Sequence, residues 1–553
     1  MRGPEDEATK RGDSLRDKDD FDGAIAAYTE SICLHPQNAQ PYSRRGRAYF
    51  LKGEFDKAIA DYDKAIQLDP IMAEAYCWRG GFHGRNGDLD KAMADCEEAI
   101  RLDPHSAKAF CIRAAVYGQK GDFDKAIADC AEAIRLDPHS AEAYGARAIV
   151  YEKMSEFDKG IADCTESIRL NPQKAGTFWE RGHLYNVKRE FDKAIADFTE
   201  SIRLDPRNAK VYGGRGHAYL KNGEFDKAIA DDNEAIRLDP KHATTYYNRG
   251  STYGKKGDHD KAIADFNEAI RLNPNDAEAY YSRGHEYGEK GDHDQAITDF
   301  TAALRIDPHR AVFHRGRALA YSRKGDFDKA IVDYTEAIRL EPQSARGFRC
   351  RADAYLEKGN FDKAIADLNE AIRLDPQDVD AYYNRGLAYR KQGEFDKAIS
   401  DYTEAIRLDP QQALLYLGRG IAYDKKGDHD KAITDCTAAI RMNPENEYAF
   451  DARGSSYLQK GEKAKAKADF AQAKKLGYKA EPDEKRWQTP FTLFVAIALF
   501  ALGEVVLFQF VKEPSPAAFA GLLVGGSLVG AGVGLFFTPI SQAVIALLAR
   551  RRS

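Results

Sequence analysis

The chain of 553 residues carries 82 lysines and arginines against 88 aspartates and glutamates, for a net charge of -6. This near-balance lacks the basic excess that nucleic-acid binding requires, and the charged opening MRGPEDEATK lacks the apolar stretch of a cleaved secretory signal, which predicts an array that begins in the cytosol. Eight cysteines lie scattered without a C-x-x-C pair, which fits a reducing compartment and excludes a disulfide-stapled frame.

Thirteen prolines, from Pro36, Pro70 and Pro104 to Pro410 and Pro444, stand thirty-four residues apart. A period of this size marks a stacked supersecondary unit. In the unit 379–412, Tyr382, Gly386 and Tyr389 recur at helical steps, and Phe395, Ala398, Ile399, Tyr402, Ala405 and Ile406 repeat the pattern. Two amphipathic helices are predicted, with Gly393 at the turn between them and Pro410 stopping the second. The site of Gly386 holds only Gly or Ala in all fourteen units, and the site of Ala405 only Ala or Ser. Larger side chains there would push apart helices that cross at about 8–10 Å. Cys96, Cys130, Cys164 and Cys436 share the site of Tyr402 and read as small core residues.

The set Tyr382, Gly386, Tyr389, Ala398, Tyr402, Ala405 and Pro410 resembles the tetratricopeptide repeat (TPR). In that frame the repeats run from 5–38 to 447–480, and the last unit, with Lys463 in place of Phe, reads as a cap. The resemblance implies an all-α, right-handed superhelical solenoid of about fourteen TPR hairpins over 5–480, whose first helices line a concave surface where partner peptides lie.

One departure from the family pattern recurs throughout. Arginine stands after the first aromatic in every unit, from Arg11 and Arg45 to Arg453, and aspartate follows sixteen residues later, from Asp61 to Asp469, in all units but the first. Across an antiparallel hairpin the two sites differ by about 1.5 Å in height. Either an anion-binding ladder or an Arg–Asp pair within or between repeats results, and the pair is favoured because a desolvated arginine needs a partner.

Variation between units concentrates on the first helix. Trp179, His183, His217, Tyr247, Tyr281 and His285, followed by Arg315, Arg349 and Tyr383, supply the aromatic and cationic groups typical of binding hot spots and form the expected partner-binding set. His183 and His217 lie a repeat apart with no cysteine or carboxylate to complete a tetrahedral set, so no metal is expected. The lysine–asparagine clamp by which some family members hold chaperone C-termini is absent, since Ser43, Arg47 and Cys77 stand at those sites. No nucleophile–base set, phosphate loop or HExxH helix occurs, which predicts a non-enzyme without cofactors.

Beyond a polar linker, 481–490, two apolar runs, 491–511 and 517–537, are each long enough to span a bilayer. Positive charge at Lys485, Arg486 and Arg550 to Arg552 would place both termini in the cytoplasm. Gly526, Gly530 and Gly534 offer a close-packing face, and Glu504 of the first span falls opposite Gly525 and Ser527, where an interhelical hydrogen bond is favoured over a role in a transport pathway. Residues 540–553 would form an interfacial segment with a basic tail. The expectation is a multi-pass membrane-anchored scaffold that binds a protein or peptide on its concave cytosolic surface. The alternative is an accessory subunit of a membrane transport or secretion complex, oligomerising through the glycine-rich hairpin.

Overall fold

Stop and start signals at fixed places in each unit dictate two helices per repeat. The structure, a computed structural model, describes residues 7–478. Among them run twenty-eight helices, numbered in chain order from α1 (Glu7–Arg16) to α28 (Lys463–Lys475), in fourteen antiparallel hairpins; odd numbers are first helices and even numbers second helices. In the type unit, α23 (Val379–Lys391) starts where the Asp378 carboxylate accepts the Ala381 N–H at 3.0 Å, satisfying a donor the first turn leaves open. Gly393, at φ 81°, reverses the chain. α24 (Phe395–Leu408) then runs back and ends where the Asp409 N–H bonds the Ala405 carbonyl, just before Pro410.

Two compact units divide the chain, Met1–Pro274 and Asn275–Ser553; the first holds α1 to α16 (His259–Leu272) and the second α17 (Ala277–Glu289) to α28. Within each, the core is a row of small clusters rather than one large core. Tyr402, fully buried on α24, shows the logic: a Cβ on Gly386 would lie 3.0 Å from its ring, and so would one on Gly418 of the following first helix. The ring fills a gap sixteen residues behind it and sixteen ahead. Phe198 sits likewise between Gly182 and Gly214, and Phe300 between Gly284 and Gly316. Where the buried residue shrinks to Cys96, the partner ahead grows to Ile112. Cys96, Cys130, Cys164 and Cys436 are buried with free thiols, as small core residues.

The expected pair of transmembrane helices is corrected. No helix among the described residues is long and apolar enough to cross a membrane. The longest have 14 residues, about 21 Å at 1.5 Å per residue, against a hydrocarbon core of about 30 Å, and each carries charge on one face. The spans 491–511 and 517–537, the linker and tail, and Glu504, Gly526, Gly530 and Gly534 lie outside the described residues. The described fold is therefore the helical solenoid, with no membrane hairpin among the described residues. Multi-pass localisation with cytoplasmic ends, a lipid-bilayer partner, oligomerisation through the spans and a subunit role in a membrane machine lose their structural basis with it.

At three turns a side chain stands where glycine is the rule. Asp19, Ser155 and Arg189 take φ 60°, 60° and 63°, while Gly53, Gly121 and Gly393 occupy the same place in other units. The left-handed region costs a side chain about 1–2 kcal/mol, which exceeds the extra entropy that glycine loses on folding. Ser155→Gly and Arg189→Gly are each expected to raise stability by about 0.5–1 kcal/mol in urea denaturation. Unchanged or lowered midpoints would show that these turns are not strained.

Candidate functional site: the inner face of the first helices

The arginine that recurs in every first helix is a structural staple. In thirteen units its guanidinium forms a two-pronged pair with the aspartate sixteen residues ahead, from Arg45–Asp61 to Arg453–Asp469. Arg249 is representative: its Nε and Nη2 donate to Asp265 at 2.8 and 2.6 Å, and its Nη1 donates to Asn233, sixteen residues behind, at 2.6 Å. Thr29, Thr165, Thr199, Thr301 and Thr403 take the place of Asn233 for other arginines. Each of the thirteen thus ties its own first helix to its own second helix, and most, Arg249 among them, also reach the second helix before it; behind Arg147 stands Ala131, which offers no acceptor. In the first unit Ala27 replaces the aspartate, and Arg11 pairs with Glu30 at the surface. The anion-binding reading of the ladder falls, because its charge is spent inside.

Staples fix the helices and leave one face of each first helix to vary. In the first unit α5 (Ala73–Arg85) touches α7 (Ala107–Lys120), α7 touches α9 (Ala141–Lys153), and contact continues through α11 (Ala175–Val187) and α13 (Ala209–Lys221) to α15 (Ala243–Lys255). In the second unit α23 touches α25 (Ala413–Lys426). No comparable contact joins second helices of neighbouring repeats among the described residues. Within each unit, then, the first helices crowd together on the inner side and the second helices spread on the outer.

The predicted binding residues divide into two groups. Tyr247, Tyr281 and Tyr383 turn inward: Tyr247 packs 5.6 Å from Phe266, Tyr281 lies 5.5 Å from Phe300 and 5.2 Å from Phe313, and Tyr383, 8 % exposed, lies 5.6 Å from Tyr402. They wedge first helices onto second helices. Trp179 is half-buried and stacks on His183, with ring centres 5.6 Å apart and planes 9° from parallel. The His183 Nε2 meets Glu152 of α9 at 3.1 Å; this hydrogen bond raises the imidazole pKa and lowers that of the carboxylate. His217 lies 3.0 Å from the Asn186 amide, and burial pushes its pKa down. His285 is exposed, 3.6 Å from Glu286.

Arg315 and Arg349 are engaged within the protein. Arg315 reaches Glu341 at 2.5 Å, and Arg349 bridges Asp378 and Asp380 at 3.1 Å each. Beside Arg349, Asp353 accepts the Asn384 amide at 2.8 Å, and burial pushes its carboxyl up to about 7. The sequence reading missed Glu152, Glu180, Asp353 and Asn384. Their signal was available, since all stand within one helical turn or two of the varying site. No group of His, Cys, Asp and Glu fit for a metal ion occurs among the described residues.

Stacked helical hairpins with a variable inner face define a helical-repeat interaction protein. Tetratricopeptide-repeat models match at 107–140, 243–276, 277–310, 311–344, 379–412 and 413–446, at 73–106, 141–174 and 175–208, and at 198–230, and a TPR-repeat model matches at 12–53, 46–87, 216–257 and 352–393. The chain belongs to the tetratricopeptide-repeat family, and it is not an enzyme. No curated protein matches it. Similar solved structures include the APC/C hetero-tetramer Cut9–Hcn1, 18 % identical, covering 82 % of this chain and 96 % of that one with a TM-score of 0.42. A tetratricopeptide repeat protein from Parabacteroides merdae is 22 % identical over 45 % of this chain and 98 % of its own, TM-score 0.37. MamA is 30 % identical over 30 % of this chain and 96 % of its own, TM-score 0.28.

One framework site breaks the pattern. Asp232 on α14 (Phe225–Leu238) occupies the place of Phe198 and Tyr402, is 1 % exposed, and neither of its carboxyl oxygens has a hydrogen-bond partner. Burial first, and the charge of Asp231 second, push its carboxyl up to about 8. Because the folded value lies above the unfolded value of about 3.9, its contribution to stability is complete below pH 4 and is lost as pH rises from about 4 to about 8. Asp232→Asn is expected to flatten this fall, so that its stability gains on the wild type between pH 5 and pH 8 in urea melts. Parallel profiles would refute the buried, protonated carboxyl.

Proposed function

We propose that this chain is a scaffold that binds an extended protein or peptide segment along the inner face of its first helices. The observation that carries the reading is the division of labour within the repeat. Arg249, Asp265 and their equivalents are spent on stapling, whereas the inner-face site runs from Gly145 through Trp179 and Gly213 to Arg315 and Leu417. A partner lying along this face meets side chains that change from stretch to stretch of the array, as sequence-selective recognition needs.

Trp179 and His183 are the strongest anchor, as an aromatic pair half-open to solvent with an ion pair beneath it. Tyr247, Tyr281 and Tyr383 act behind the surface: by wedging the first helices they set the spacing of the groove. A photo-crosslinking residue placed at His183 is expected to trap a partner in cells that the same probe at Ala131, exposed on the second helix α8 (Phe123–Leu136), does not. Equal capture of the same species from both positions would refute the inner-face assignment.

A further inference from the structure

Many ionic residues at the surface of the array are paired. Lys120, Lys188 and Lys256 cross to Asp90, Asp158 and Asp226 of the preceding repeat, and Arg101, Arg135 and Arg169 bond Glu98, Glu132 and Glu166 one turn away. Two lysines on adjacent first helices of the first unit stand outside these pairings. Lys221 and Lys255 end the adjacent first helices α13 and α15, both exposed, and neither pairs with a carboxylate among the described residues. Partial desolvation and the neighbouring charge of Lys221 push the Lys255 ammonium below its ordinary value. His217, beside them, is lowered by burial first and then by both lysines.

Two helices back the sign reverses. Glu180 lies next to Trp179 on α11 and accepts no hydrogen bond among the described residues. Burial and the Glu152 carboxylate push it up to about 7, against the opposing pull of His183 and Lys174. One place is short of a cation and the other short of an anion. Lys221 and Lys255 without a carboxylate, and Glu180 without a hydrogen bond beside a Glu152 already shared with His183, are groups that gain when a complementary ligand arrives.

We propose that the inner face of the first unit takes an extended protein segment with cationic side chains against Glu152, Glu180 and Trp179, and acidic side chains against Lys221 and Lys255. This rests on the scaffold reading above and adds the charge order of the partner. An arginine fits the first place, since it can pair with Glu180 while lying against the Trp179 ring. Neighbouring first helices lie about 8–10 Å apart, so the two charged places are separated by about 20 Å, the reach of about six extended residues at 3.3 Å each.

The test uses the full chain and two fluorescein-labelled peptides of identical composition. One has two arginines, four Gly/Ser residues and two glutamates in that order; the other alternates the same charges. Fluorescence anisotropy at low salt is expected to show the blocked peptide binding about tenfold more tightly, the sum of several exposed pairs. The double variant K221Q/K255Q and, separately, E180Q are each expected to remove most of that advantage and leave the alternating peptide unchanged. Equal binding of the two peptides, no binding by either, or a blocked peptide indifferent to both variants would overturn the charge order. The groove itself is judged apart from this, by crosslinking from His183: a partner trapped there together with equal peptide affinities would refute the charge order alone.

Discussion

A mostly buried arginine bridging three helices is the constraint on which the array depends. Its guanidinium can satisfy a carboxylate with two parallel bonds and still extend a third donor in the opposite direction, a geometry that lysine cannot supply. In the thirty-four-residue unit, sixteen ahead and sixteen behind place those acceptors on two successive second helices. The same offset governs the core, where Tyr402 fills the space between Gly386 and Gly418. Polar staple and apolar wedge thus share one register. Deleting one partner of such a pair leaves a buried charge at a cost of about 3–5 kcal/mol, which explains why the aspartate is missing only from the first repeat, where Arg11 lies at the surface and turns to Glu30.

Rigidity at the staples leaves the inner face free to differ. The backbone of each first helix is held from the side facing the second helices, so substitutions on the other side alter chemistry without altering the fold. In the first unit that face carries Trp179 stacked on His183, and Lys221 and Lys255 at the ends of the next two first helices. In the second unit the corresponding sites turn to internal networks, with Arg349 tied to Asp378 and Asp380. Two stretches of one array therefore offer a partner different chemistry.

Much of this is legible in the sequence because the period multiplies each signal fourteen times. Proline spacing gives the hairpins, the invariant small residues give the close approaches, and the Arg–Asp spacing gives the staple. What a single strand of letters does not resolve is the direction of a half-buried side chain. Tyr247, Tyr281 and Tyr383 occupy the same site as Trp179, and only the facing rings of Phe266, Phe300 and Tyr402 show that the tyrosines turn into the core. Asp232 escapes notice for the opposite reason: among so many surface aspartates, one in a core column looks ordinary until its burial is seen. The apolar runs near the end suggest membrane helices by length alone, and no helix among the described residues bears that out.

The central claim is that Arg249 and its equivalents transmit stability between repeats. A double-mutant cycle of Asn233→Ala and Asp265→Asn tests it most directly, because these residues belong to successive repeats and share Arg249 as their partner. The account predicts a coupling free energy of about 1 kcal/mol in urea denaturation, and its disappearance in an Arg249→Met background. Additivity of the two changes within about 0.3 kcal/mol, or coupling that survives the loss of Arg249, would contradict it.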